Sequence, residues 1–276
     1  MSDPVTYTGV LPVAASTVDY LARLLAGERA RRGTRRGRRV LEVSAQAVMV
    51  LRWFLDATRV TRLARDSGIS RATAYRYLHE GIDVLTAAAP GLHGALLAAR
   101  AAGYSRVHLD GTLITTTRSR ALGPTPGVDL WWSGKHRCHG GNIQVITAPD
   151  GWPLWSSPVR PGREHDLTCA RAHPGLLDRL AEFIDDDHAV LADLGYEGES
   201  DRLTVPIKTR SGAGLCPDQR TVNVLHSATR AIAERGNALL KNTFRALRHL
   251  SLCPQRIGAI TAAALVLLHT EHNRTT

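Results

Sequence analysis

The hydrophobic pattern of this chain changes period near residue 104, and that change restricts it to a helical module followed by a sheet-containing domain. Residues 16–30, 41–57 and 60–85 repeat apolar side chains at helical spacing. After a small-residue segment at 90–103, the pattern alternates: 105–118, 141–149 and 153–160 read as three consecutive strands, with turns at GPTPG and PDG. A helix is expected over 166–184, then a strand running into Asp193, a short strand over 203–208, and helices over 221–250 and 255–269. The fold class is therefore α/β, a mixed sheet flanked by helices behind an all-α module. Its expected divisions are 1–89, a linker helix at 90–103, and 104–276.

Two of the apolar runs lead into an aspartate. Val107-His108-Leu109 precedes Asp110 and Val190-Leu191-Ala192 precedes Asp193, so each acid is expected to project from the end of a buried strand. A third acid, Glu234, lies in a helical segment with Arg230 four residues before it and Lys241 seven after, all on one face. The plain reading of that face is a solvated surface with ordinary ion pairs. The sharper reading joins it to the other two acids. Carboxylates from two strands and a helix are hard oxygen ligands, and on one spot they would hold two Mg²⁺ or Mn²⁺ ions for phosphodiester chemistry.

The charge balance points the same way. Thirty-five Lys+Arg against 25 Asp+Glu leave +10, which suits a polyanionic partner. Seven arginines fall within residues 28–39, ERARRGTRRGRR; that segment cannot bury a core and is expected to be mobile, with Arg35, Arg36, Arg38 and Arg39 gripping phosphates. In 60–85, Ala64, Gly68 and Ala74 have helix-turn-helix spacing, with Ser70 as the cap of the second helix. Leu63, Ile69 and Ala74 would face the core, leaving Arg71, Tyr75, Arg76 and His79 to DNA. A packed helical hairpin without a ligand is the alternative.

Around the acids, the segments HLDGT, SGKHRCHGGNIQV, RPGREHD and DLGYEG follow one another, with 83 residues from Asp110 to Asp193 and 41 from there to Glu234. In these blocks, their order and their spacing, the chain resembles the DDE-superfamily transposases of bacterial insertion sequences, in the branch related to Harbinger-type proteins. Arg230, Glu234 and Lys241 match that branch's Tyr-x2-Arg-x3-Glu-x6-Lys signature, with Ser227 at its Tyr position. The resemblance implies a ribonuclease H-like catalytic domain, an N-terminal helix-turn-helix, and Asp110, Asp193 and Glu234 as catalytic metal ligands. It also implies cleavage and strand transfer at element ends, with terminal inverted repeats and target DNA as partners and a homodimer or higher oligomer on DNA. The alternatives are a transposase-derived or helix-turn-helix regulator that no longer cuts, and a structure-specific nuclease.

Lys135 and Arg137, with His136 and His139, form a basic loop that is either a solvated hairpin tip or a strand contact. Trp131 and Trp132 beside it could stack on a base or pack in the core. His165 and Asp166 either border the catalytic pocket or, for Asp166, cap a helix or pair with its dipole. Trp152 and Trp155 read as structural, and Asp185-Asp186-Asp187 as a solvated turn. A mobile loop is expected over 210–220. Four scattered cysteines give neither a zinc pattern nor a disulfide framework. No G-x-S-x-G, P-loop or GxGxxG occurs. The N-terminus has no signal-peptide layout and no apolar run reaches about 20 residues, so a cytoplasmic, nucleoid-associated protein is expected.

Overall fold

A computed structural model describes residues 9–35, 37–209 and 214–276. Five helices come first: α1 (Ala15–Arg31), α2 (Val43–Asp56), α3 (Val60–Asp66), α4 (Arg71–Ala87) and α5 (Leu92–Ala101). The turn between α3 and α4 is built as the spacing implies. Gly68 takes φ +63°, a left-handed conformation open to glycine, and the Ser70 hydroxyl accepts from the backbone N–H of Thr73. Leu63 and Ala74 are buried and Ile69 is half-buried against the same core, so α3 and α4 form a helix-turn-helix.

The sheet follows: β1 (Arg106–Thr115), β2 (Trp132–Ser133), β3 (Cys138–Thr147), β4 (Pro153–Ser156), β5 (Arg160–Pro161) and, after two helices, β6 (Ala189–Ala192). β1, β3 and β4 form an antiparallel meander, and β6 pairs with the other edge of β1 in parallel. That arrangement is ribonuclease H-like. Buried apolar side chains on Val107, Leu109, Ile143, Val145 and Val190 make these short strands the centre of the fold.

Three expected elements differ. The helix over 166–184 is two helices, α6 (Asp166–Ala172) and α7 (Leu176–Phe183), because Pro174 and Gly175 interrupt it. The strand over 203–208 reduces to one parallel bridge between Leu191 and Thr204, since Pro206 has no N–H to extend the ladder. α8 (Pro217–Thr243) starts four residues earlier than expected, with Cys216 and Gln219 forming a reciprocal cap, and stops before Phe244. The expected loop at 210–220 is therefore helical from Pro217, and its residues 210–213 lie outside the described ones, as do residues 1–8. α9 (Ile257–Glu271) is almost wholly buried; it packs on α4, where Thr86 Oγ1 donates to the Ala259 carbonyl, and so joins the helical module to the sheet core. Among the described residues no single helix is long and apolar enough to cross a membrane.

Candidate nuclease site

Strand register brings Asp110 and Asp193 together. In the parallel pair Leu109 lies opposite Ala192, so the next residue on each strand is an aspartate, and paired strands lie about 4.8 Å apart. Asp193 ends β6 as expected, and its Oδ1 accepts from the Gly195 N–H to open a 3₁₀ turn over Leu194–Glu199. Asp110 does not end its strand: β1 runs on to Thr115 because β3 goes on pairing with it after β6 stops. From Asp110 onward one edge of β1 is therefore bare of a strand. A cleft of about 460 Å³ opens there, lined by Asp110, Thr112, Lys135, Asp166, Asp193 and Lys241 among others.

Helix α8 crosses this edge with Arg230, Glu234, Asn237 and Lys241 on one face. The Arg230 guanidinium lies 3.9 Å from Asp193 Oδ2. Asn237 Nδ2 donates to Asp110 Oδ2 at 2.8 Å, and Lys241 Nζ donates to Thr112 Oγ1 at 2.7 Å and to the Leu113 carbonyl at 3.1 Å. Lys241 is thus fixed to β1 and is not a solvated partner of Glu234. Burial lowers its pKa, with the Asp110 charge acting the other way. Ser227 is exposed on the same helix.

Glu234 sits between Arg230 and Asn237 along this face, yet its side chain is 62% exposed and among the described residues bonds only to Arg230, at 3.4 Å. Among the described residues no three His, Cys, Asp or Glu converge as a cation-binding group. The expectation of a converged triad is corrected to that extent: Asp110 and Asp193 meet, and Glu234 stands outside the cleft. Like charges explain it. A third carboxylate is repelled by two others, and the guanidinium between Asp193 and Glu234 is the more favourable partner.

The Asp110 carboxyl is pushed up to about 6, first by burial; Arg230 lowers it, Asp193 and Asp166 raise it, and the Asn237 bond lowers it. Two adjoining acids, one of them desolvated, share the nearby Arg230 guanidinium, and the buried Asn237 Oδ1 has no hydrogen-bond partner among the described residues. Hard oxygen donors in that state fit a divalent cation. A pH prediction follows from the sign of the shift. The folded pKa lies above the usual 3.8, so this group's contribution to stability is complete below about pH 4 and is lost as pH rises through about 6. Urea unfolding of the metal-free protein should show roughly 2 kcal/mol of this loss between pH 4 and 8, and Asp110→Asn should remove it. Identical pH profiles for the two proteins would contradict the shift.

The family model described as DDE superfamily endonuclease matches residues 109–269, more than half of the chain, a span that includes all three acids. The chain belongs to the DDE superfamily of endonucleases. A second model, the IclR helix-turn-helix domain, matches residues 45–80, which take in α2, α3 and the start of α4. No curated protein and no solved structure matches the chain. A helix-turn-helix joined to an endonuclease makes DNA the partner, and enzymes of this superfamily use divalent metals.

The remaining basic residues divide. In this endonuclease Arg71, Tyr75 and Arg76 are exposed on α4, while His79 is half-buried and stacks on Tyr75. Arg35 and Arg38 are exposed and Arg36 lies outside the described residues. Arg39 is not a free phosphate grip: it bonds the buried Glu80 at 2.7 Å and lies over the Tyr77 ring, because a buried carboxylate needs a cation. Among the described residues of the arginine segment, Arg39 is thus tied to α4, while Arg31 and Arg32 pair locally with Glu28. Lys135 and Arg137 occupy the exposed hairpin tip between β2 and β3, and Lys135 reaches the cleft. His165 is exposed beside an adjoining recess that Asp166 shares. Trp131, Trp152 and Trp155 are buried, whereas Trp132 is half-buried and meets His139 edge-on.

Sequence reasoning missed Asn237, Thr112 and Asn142. Asn237 had a visible signal, since it falls seven residues after Arg230 on the same helical face. Lysine usage was another: only Lys135, Lys208 and Lys241 occur among 35 basic residues, and two of the three line this cleft.

Proposed function

We propose that this endonuclease is a transposase that cuts DNA at the ends of its own element and joins the freed 3′ ends to target DNA, with Asp110, Asp193 and Glu234 as its catalytic acids. The α8 face carries the reading: Arg230 reaches one strand acid, Asn237 reaches the other, and Glu234 lies between them on the same helix. A rotation of its side chain would turn the third carboxylate towards a cation held by the other two. Asp110, Asp193 and Glu234 would hold two Mg²⁺ or Mn²⁺ ions, which would supply Lewis-acid activation of the attacking oxygen and charge for the leaving oxygen. Asn237 holds Asp110 by its Oδ2, leaving Oδ1 for the reaction site. Lys241 and Lys135 place fixed positive charge along the cleft, where phosphate must lie. Hydrolysis and joining are both in-line attacks on phosphorus, so one set of residues serves both. Arg230, Glu234 and Lys241 support the branch related to Harbinger-type proteins.

Labelled duplexes carrying the flanks of the encoding gene, incubated with protein, Mg²⁺ and a supercoiled plasmid, test this. Cuts confined to the element boundary, followed by joining to the plasmid, are expected. Cutting indifferent to sequence would make it a plain nuclease. Binding without cutting would make it a regulator, a second reading that the outward Glu234 favours. In the same assay Arg71→Ala and Arg76→Ala should weaken binding to the element ends by about tenfold, and to random DNA much less, as recognition-helix residues do. Neutralising Arg35 and Arg38 should weaken both alike and lower the salt dependence. Equal losses on every sequence from the α4 variants would exclude base reading by that helix.

A further inference from the structure

The cleft contains a buried polar chain that the proposed chemistry does not use. The Tyr196 hydroxyl, in the turn just after Asp193, donates to Gln144 Oε1. Gln144 Nε2 donates to Asn142 Oδ1 at 3.0 Å, and Asn142 Nδ2 donates to Asp166 Oδ1 at 2.6 Å. Tyr196 and Gln144 are fully buried and Asn142 nearly so. Each link donates towards Asp166, so the buried chain ends on its carboxylate.

Asp166 is also fixed in place. A side chain on Gly111 would lie 2.1 Å from its Oδ1, so the glycine after Asp110 leaves the space that this carboxylate fills. Its other oxygen lies 3.8 Å from Lys135 Nζ. Among the described residues no backbone N–H bonds to the Asp166 side chain, and His165 holds the cap position, so Asp166 is a first-turn acid of α6 and not its cap. Lys135, meanwhile, is 67% exposed and gains little from this ion pair in water. The arrangement therefore sets one fixed carboxylate beside Lys135 while its ammonium stays open to the cleft, and does so with a lysine in a chain whose basic residues are otherwise nearly all arginine. A compact ammonium on a flexible stem needs such a fixed partner to define its position, whereas a guanidinium fork is preorganised.

We propose that Asp166 is a positioning residue that holds the Lys135 ammonium against the DNA phosphate entering the Asp110–Asp193 cleft. This rests on the nuclease reading of that cleft. The test uses the full chain and a short duplex in Ca²⁺, with acetylation of the three lysines read by mass spectrometry. DNA should protect Lys135 roughly fivefold or more in the wild type, an effect of about 1 kcal/mol. Asp166→Asn should lose most of that protection with an unchanged melting temperature. Tyr196→Phe, which removes the first donor of the chain, should lose part of it; it keeps the question open to refutation if the first variant folds poorly. In Mg²⁺, Asp166→Asn and Lys135→Ala should each slow cleavage about tenfold, and together no more than either alone, the mark of two residues acting as one unit. Full protection of Lys135 in Asp166→Asn, or independent effects in the double variant, would overturn the proposal while wild-type cutting left the nuclease reading intact. Absence of wild-type cutting would count against the nuclease reading alone if Lys135 were still protected through Asp166, and against both if it were not.

Discussion

Asp110→Asn should lose metal-dependent DNA cleavage by roughly 10³-fold or more while binding duplex DNA within about twofold of wild type. Asp110 is the acid whose desolvation shifts it most clearly, its Oδ2 is held by Asn237, and strand register fixes it beside Asp193. The amide keeps the shape and a hydrogen-bonding oxygen but loses the charge that attracts a cation. Its fold should persist, because in the absence of a cation this carboxylate carries a cost at neutral pH. Asp193→Asn should behave alike in cleavage. A single-turnover assay with end-labelled DNA measures the loss, and a circular dichroism melt confirms the fold. Near wild-type cutting by Asp110→Asn would remove the site assignment.

Glu234→Gln should reduce cleavage by about 10² to 10³-fold, an effect out of proportion to what its exposed pair with Arg230 contributes to folding. A solvated ion pair at this position is worth about 0.5 kcal/mol or less and has no chemistry attached to it. The two roles therefore separate cleanly. If Glu234 enters the cleft with a cation, calorimetry should show Mn²⁺ bound more weakly by the glutamine variant. If it stays on the surface, Mn²⁺ affinity and cleavage rate should match wild type, and the acids of the strands would act without it.

Much of the fold was legible because it rests on short-range pattern. Alternation marked β1, β3 and β4, helical spacing marked α1 to α4, and Gly68 with Ser70 marked the turn between α3 and α4. Asp110 and Asp193 were legible as a pair because apolar runs of the same kind lead into each of them. What stayed hidden was set by long-range partners. The extension of β1 beyond Asp110 depends on β3, and Arg39 is fixed by Glu80, 41 residues away. The exposure of Glu234 depends on the charges facing it from β1 and β6, which no local spacing reports. The polar chain from Tyr196 to Asp166 joins three segments, and each of its residues alone resembles an ordinary core or cap residue.

The most direct test of the central claim is cleavage of an end-labelled duplex carrying the gene's flanks by the wild-type protein, in Mg²⁺, in Ca²⁺ and in chelator. Strand scission in Mg²⁺ alone, leaving 3′-hydroxyl ends, with DNA still bound in Ca²⁺, is the result this account predicts, since the looser coordination of Ca²⁺ misplaces the attacking oxygen. Scission that persists in chelator, or binding with no scission in either Mg²⁺ or Mn²⁺, would contradict it.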